Sequence, residues 1–266
     1  MIRIETHDRI RVVTLDRPEA RNAVNPDLAR ALFNAMLEFQ ANPEVDVAVL
    51  TGAEGAFCAG FDLKAAATGA GGEWITGLDI PPGWTDPMGQ PLPSPMGPAR
   101  LMLKKPVIAA IEGPAVAGGS ELALWADMRV MAEGAQFGIF CRRWGVPLID
   151  GGTFRLPMTV GQGRANDLIL TGRPVDAGEA QAIGLADRVV ARGQALPAAL
   201  SLADTLTRFP QACMRADHLS ARMPPDMLAD RLRREWHSVR AALEEGIRGA
   251  ARFAAGHGRS GNFEDL

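Results

Sequence analysis

The chain has 266 residues, enough for one substantial core with room for a smaller appended piece. It is 47% hydrophobic and 22% charged, ordinary for a globular protein, and its formal net charge of −3 with Lys and Arg spread along the chain excludes a nucleic-acid footprint. Cys58, Cys141 and Cys213 stand far apart without CxxC spacing, and the four histidines form no HxxxH pattern, so neither a disulfide framework nor a metal site is expected.

The N-terminal segment alternates apolar and charged residues, a strand pattern rather than a targeting peptide. Ile2–Glu5 and Arg9–Leu15 are expected to pair as a hairpin turning near His7 and Asp8. A helix should begin with Asn25 as its cap and Pro26 in the first turn, and its apolar stripe runs through Leu28, Leu32, Ala35, Met36 and Phe39. Val45–Thr51 and Val107–Ile111 are short β-branched runs that read as buried strands. Such strand–helix alternation implies an α/β core.

Residues 69–98 depart from this pattern. They hold seven glycines and seven prolines, which predicts neither helix nor interior strand and points to a long loop acting as a lid or binding loop. Trp74, Ile75, Leu78 and Trp84 give that segment something to cover. Further on, Asp176 and Glu179 have capping-box spacing ahead of a short helix stopped at Gly184, and Gln194–Arg208 reads as another helix. From Asp226 to about Ala255 an apolar stripe of Leu228, Leu232, Trp236, Val239, Leu243, Ile247 and Ala250 predicts one or two amphipathic helices that pack on the core or on a second subunit. No apolar run approaches the ~20 residues of a membrane span, and the expected location is the cytoplasm.

Two segments carry chemistry. Gly55–Lys64 (GAFCAGFDLK) follows the first buried strand and Gly113–Leu122 (GPAVAGGSEL) follows the second. Each places small residues where a strand ends and a helix begins, so a ligand can approach the backbone and meet free amides. Two such amides aimed at one point make an oxyanion hole, in which each donor is worth ~3–4 kcal/mol of transition-state stabilisation. Glu121 sits just after Gly-Gly-Ser, either as a first-turn acid favoured by the helix dipole or as a catalytic carboxylate.

Taken in order, FCAGFDL, KKPVIAAIEGPAVAGGSELALWADMRV, AQFG, DGGTFRLP and LTGRPVDAGEAQAIGLADRVV, with RPEARNAVN ahead of them, resemble the crotonase (enoyl-CoA hydratase/isomerase) superfamily from about Ile2 to Phe209. The resemblance implies an α/β spiral of ββα units of the ClpP/crotonase type, with an acyl-CoA-binding core over residues 1–209 and a C-terminal helical oligomerisation region over 210–266. It implies an acyl-CoA thioester substrate, with coenzyme A entering only as part of it and no separate cofactor, and a homotrimer or dimer of trimers. The oxyanion amides would be those of Ala59 and Gly118, Glu121 would be the first catalytic carboxylate, and Arg21, Ala23, Gly60 and Asp62 would meet coenzyme A.

The pattern breaks at one place. The family's second glutamate, three residues after the glycine of AQFG, is here Cys141, expected as a wall of the acyl pocket or as a proton donor. Asp150, in DGGT, offers a replacement acid or else caps the next element. Hydration of a 2-enoyl-CoA by Glu121 and Asp150 is the first expectation. Double-bond isomerisation on the same site, thioester hydrolysis or carbon–carbon cleavage, and a catalytically weak acyl-CoA-binding protein are the alternatives.

Overall fold

A computed structural model describes residues 1–67 and 70–258, so Gly69 of the expected loop and residues 259–266 of the C-terminal region lie outside the described residues. β1 (Ile2–His7) and β2 (Ile10–Leu15) form the expected antiparallel hairpin. α1 (Pro26–Ala41) starts where the side chain of Asn25 accepts the Leu28 amide at 2.9 Å. There follow β3 (Val47–Gly52), α2 (Leu63–Ala67), α3 (Ala70–Thr76), β4 (Val107–Ile111), β5 (Pro114–Val116) and α4 (Gly118–Trp125). Next come β6 (Met128–Ala132), β7 (Gln136–Gly138), α5 (Gly152–Val160), α6 (Gln162–Thr171), β8 (Pro174–Asp176) and α7 (Ala177–Ala182), whose cap is the predicted Asp176. The chain closes with β9 (Arg188–Val190), α8 (Ala195–Thr207), α9 (Gln211–Ser220) and α10 (Pro225–Ala254).

The main sheet runs β1-β2-β3-β4-β6-β9 and is parallel from β2 onward, while β5, β7 and β8 make a second, smaller sheet. The central strands of the main sheet, β2, β3, β4 and β6, are buried on both faces. Val12, Val47, Val49, Ile108 and Ala110 face α8, and the alternate Val13, Leu15, Leu50, Ala109 and Ile111 face the core under α1 and α4. The C-terminal ends of β3 and β4 lie side by side, so the two segments that follow them emerge at the same edge.

Residues 70–76 form a helix where the composition of 69–98 predicts none. Glycine and proline set the path only beyond it. Within α3, Trp74 and Ile75 pack against the core, and the indole N–H of Trp74 donates to Pro95 O at 3.3 Å. The rest of the segment is a looped chain held from within, with Leu78, Ile80 and Trp84 buried and the Trp84 indole N–H on Gln90 O at 2.8 Å. Arg100, 1% exposed, clamps both of its ends by donating to Leu78 O (2.7 Å) and Pro93 O (3.1 Å).

The stripe from Asp226 onward is one continuous helix, α10, and α9 and α10 both dock on their own chain. Asp127 accepts from Arg222, just beyond α9, at 2.5 Å, and Trp236 of α10 donates to Asp79 of the loop at 2.8 Å. Toward its C-terminal half Leu243 and Ile247 are exposed. Among the described residues no helix is long and apolar enough to cross a membrane.

Candidate active site

The two glycine-rich segments are stitched together. Phe57 and Cys58 amides donate to Pro114 O (3.1 and 2.9 Å), and the Val116 amide returns a bond to Cys58 O at 3.0 Å. Gly60 takes φ 94, and a β-carbon there would lie 2.8 Å from Cβ of Ala117 and 2.9 Å from the nitrogen of Gly118, so only glycine fits the crossing. Ala117 itself sits at φ 52 and ψ −128, a strained conformation at the mouth of α4.

The turn carrying Arg21 and Asn22 braces the first segment from the other side. Both residues have left-handed backbone, and the buried Asn22 side chain donates to Ala53 O (3.0 Å) and Ala56 O (2.8 Å). This geometry corrects one sequence expectation. The Ala59 amide donates to Arg21 O at 3.0 Å and is therefore not free for a ligand. Two residues on, the Phe61 amide meets no acceptor among the described residues, and neither does that of Gly118. Which N–H of this loop is free depends on where the Arg21 carbonyl lands.

Glu121 lies in the first turn of α4, 3% exposed, because Leu122, Ala123 and Leu124 around it are buried as well. One oxygen, Oε1, accepts the amides of Asp150 (2.9 Å) and Gly152 (3.0 Å) at the start of α5. Burial raises its pKa well above the usual carboxylate range, and the neighbouring Asp150 and Glu235 raise it further. Held in this way, the carboxylate binds a proton more tightly than an exposed one would, which suits it to acid–base work.

Asp150 is buried beside it but faces elsewhere. Its Oδ1 accepts the Met96 amide at 3.1 Å, and Ser94 lies alongside, so the carboxylate ties the end of the long loop to the site. The expected capping role is not found, since Gly151 caps α5 with no side-chain bond. Burial raises the pKa of Asp150, against the opposing hydrogen bonds of Ser94 and Met96. Arg155 donates to Asp150 O (2.7 Å) and Ala99 O (2.8 Å), fastening the same corner.

Cys141 is buried, and burial, with the negative charge of Glu121 nearby, pushes its thiol up to about 12. Its thiol stays neutral at ordinary pH and is a poor proton donor. Met96 lies over Gly118, its sulfur 2.5 Å from where a β-carbon would stand, and closes the site from the loop side. Two cavities, of about 330 and 410 Å³, lie elsewhere: one behind α5 beside Glu235, the other between Leu37 and Gln40 of α1 and residues 86–104.

The coenzyme A candidates fall on one rim. Arg21 is exposed and Ala23 buried, with Ala23 O accepting from Arg17 at 2.6 Å. Asp62 pairs with Arg17 at 3.1 Å and accepts the Lys64 amide at 3.0 Å, so its side chain already works as a helix cap. Sequence reading missed Phe61, Met96, Arg100 and Glu235. Of these only Glu235 left a signal, an acid lodged beside Trp236 and three residues after Leu232 on an apolar stripe.

Fold and site together define a crotonase-like protein, an α/β spiral in which two strand-to-helix turns meet over a buried glutamate. The sequence pattern of the family described as enoyl-CoA hydratase/isomerase matches residues 5–92 and 98–242. The chain belongs to that family, as a hydratase-type lyase that processes acyl-CoA thioesters. It is 39% identical to the enoyl-CoA hydratase EchA19 of Mycobacterium tuberculosis over 77% of this chain and 73% of that one. It is 37% identical to a probable enoyl-CoA hydratase of Rhizobium meliloti over 95% and 94%. Among solved structures, a carnitinyl-CoA hydratase from Mycobacterium avium superposes with a TM-score of 0.81 at 32% identity, covering 96% of this chain and 95% of that one.

Proposed function

We propose that the enzyme adds water across the double bond of a 2-enoyl-CoA to give a 3-hydroxyacyl-CoA, with Glu121 as its acid–base group. The observation that carries this reading is the mounting of Glu121. It is buried, held through Oε1 by two amides, and starts one turn from the free Gly118 N–H. The Phe61 and Gly118 amides, from segments in contact at Gly60, would hold the thioester oxygen as negative charge develops on it. Glu121 would take a proton from water as the oxygen attacks Cβ, then return that proton to Cα as the enolate collapses. One carboxylate thus serves both steps, which suits a chain with Cys141 where a second glutamate is usual. Arg21, Ala23 and the backbone at Gly60 and Asp62 would line the path of coenzyme A.

Double-bond isomerisation is the second reading. It is favoured by the orientation of Asp150, whose Oδ1 is engaged at Met96, which leaves Glu121, bound through Oε1 alone among the described residues, to shuttle the proton. One measurement separates the two. Loss of conjugated-thioester absorbance from a short 2-enoyl-CoA marks hydration, and its gain from a 3-enoyl-CoA marks isomerisation. Silence in both, with acyl-CoA still bound, would leave an acyl-CoA-binding protein. Glu121→Gln should reduce kcat by about 10³-fold or more. Full activity in that variant would refute the assignment.

The chain would work in the cytoplasm as a homotrimer or dimer of trimers, with 210–266 as the oligomerisation region. The exposed Leu243 and Ile247 on α10 support that reading. Light scattering should give three or six times 28.3 kDa, and a monomer or a dimer would rule it out.

A further inference from the structure

The turn from Asp150 to Thr153 is gripped from two sides. Its Asp150 and Gly152 amides go to Glu121, while its Gly151 and Thr153 amides go to Glu235 of α10, at 2.6 and 2.7 Å. The Thr153 hydroxyl adds a bond to Glu235 at 2.5 Å. Successive amides thus point alternately at two buried carboxylates that come from helices more than a hundred residues apart in the chain. Glu235 is 4% exposed and lies on the wall of the 330 Å³ cavity that Arg231 and Arg234 also line.

We propose that Glu235 is a positioning residue for Glu121, holding the Gly151–Thr153 turn from behind so that its front amides meet the Glu121 carboxylate at a fixed place. Four amides and one hydroxyl share two carboxylates, so a buried donor that loses Glu235 has to be paired again by moving the turn. Movement there reaches Glu121 directly, because a β-carbon on Gly152 would lie only 3.0 Å from Oε1. A misplacement of about 1 Å in such a group costs ~100-fold in rate. Glu235 also acts through charge. Its own proton affinity is raised by burial to about 7, and its negative form raises that of Glu121.

The inference rests on Glu121 being the proton-handling group. The charged and titratable groups facing the pair are Asp150, Cys141, Arg155, Arg100 and, on α10 itself, Arg231 and Arg234.

The test compares Glu235→Gln and Thr153→Val with the unmodified enzyme. Hydration of a 2-enoyl-CoA is followed across about pH 5 to 9, and the Glu121 carboxyl carbon is titrated by NMR, its signal assigned with Glu121→Gln. In Glu235→Gln, kcat should fall roughly ten- to a hundred-fold with KM changed less than about two-fold. Removing a neighbouring negative charge lets Glu121 ionise more easily, so the acid limb and the NMR midpoint should both move down by about half a pH unit or more. Thr153→Val removes one donor and keeps the shape, and should lose kcat less steeply.

A lowered melting temperature with unchanged kcat, pH profile and Glu121 midpoint would reduce Glu235 to a packing residue. If Glu235→Gln does not fold, an unchanged kcat and midpoint in Thr153→Val overturns the positioning role in the same way. An enzyme silent on enoyl-CoA would count against the hydratase reading alone. The Glu121 midpoint still decides the role of Glu235, a fall supporting it and no change overturning it.

Discussion

A β-carbon on Gly152 would meet Oε1 of Glu121 and Cδ1 of Leu148, each at 3.0 Å, so the residue beside the glutamate has no room for a side chain. Gly152→Ala should therefore push Glu121 off its two amides without unfolding a helix that tolerates alanine well. A fall in kcat of roughly 10²-fold at nearly unchanged melting temperature is the expected outcome. Kinetics and a thermal scan on the same preparation check it, and wild-type turnover would show that Glu121 has more freedom than its contacts imply. Asp150 does not cap α5. With Gly151 at φ 96 leading into α5, its carboxylate swings toward Met96 instead.

At the scale of elements, the long loop after α3 is an ordered segment fastened at a few points. Arg100 holds Leu78 O and Pro93 O while its guanidinium stacks over Trp236 of α10 at 4.6 Å, and Arg233 of α10 donates to Trp84 O at 2.6 Å. Burial lowers the pKa of Arg100 to about 10, which leaves it cationic at neutral pH. Arg100→Met would keep the apolar packing on Trp236 and lose hydrogen bonds worth about 1.5–3 kcal/mol. Faster proteolytic cleavage within residues 78–93, and a KM raised more than kcat falls, are expected. Identical cleavage rates in the two proteins would mean that the loop is held by its apolar side chains alone.

For the whole molecule, the buried carboxylates set how stability depends on pH. Glu121, Asp150 and Glu235 all bind protons more tightly folded than unfolded, Glu235 up to about 7. Between the unfolded value of about 4.3 and that point the folded chain carries the extra proton, so stability should fall as pH rises. Asp46 and Asp127, whose pKa values are lowered by their partners, work in the opposite sense, but only below the ordinary carboxylate range. Melting temperature should thus decline from about pH 5 to 7, and Glu235→Gln should flatten the decline. A melting temperature that rises over that range would contradict the burial of these three acids.

Local chemistry was readable along the chain. The Asn25 and Asp176 caps, the two β-branched strands and the stripe of α10 depend on neighbours within one turn or one strand, and the order of the glycine-rich segments marked the family. The amide open to a ligand, the direction Asp150 faces and the part played by Glu235 depend on carbonyls and amides that arrive from distant segments. Arg21 O reaches Ala59 across 38 positions and Glu235 reaches Gly151 across 84. No local pattern records such a pairing, because hydrogen-bond satisfaction in a buried site is settled only when the elements pack.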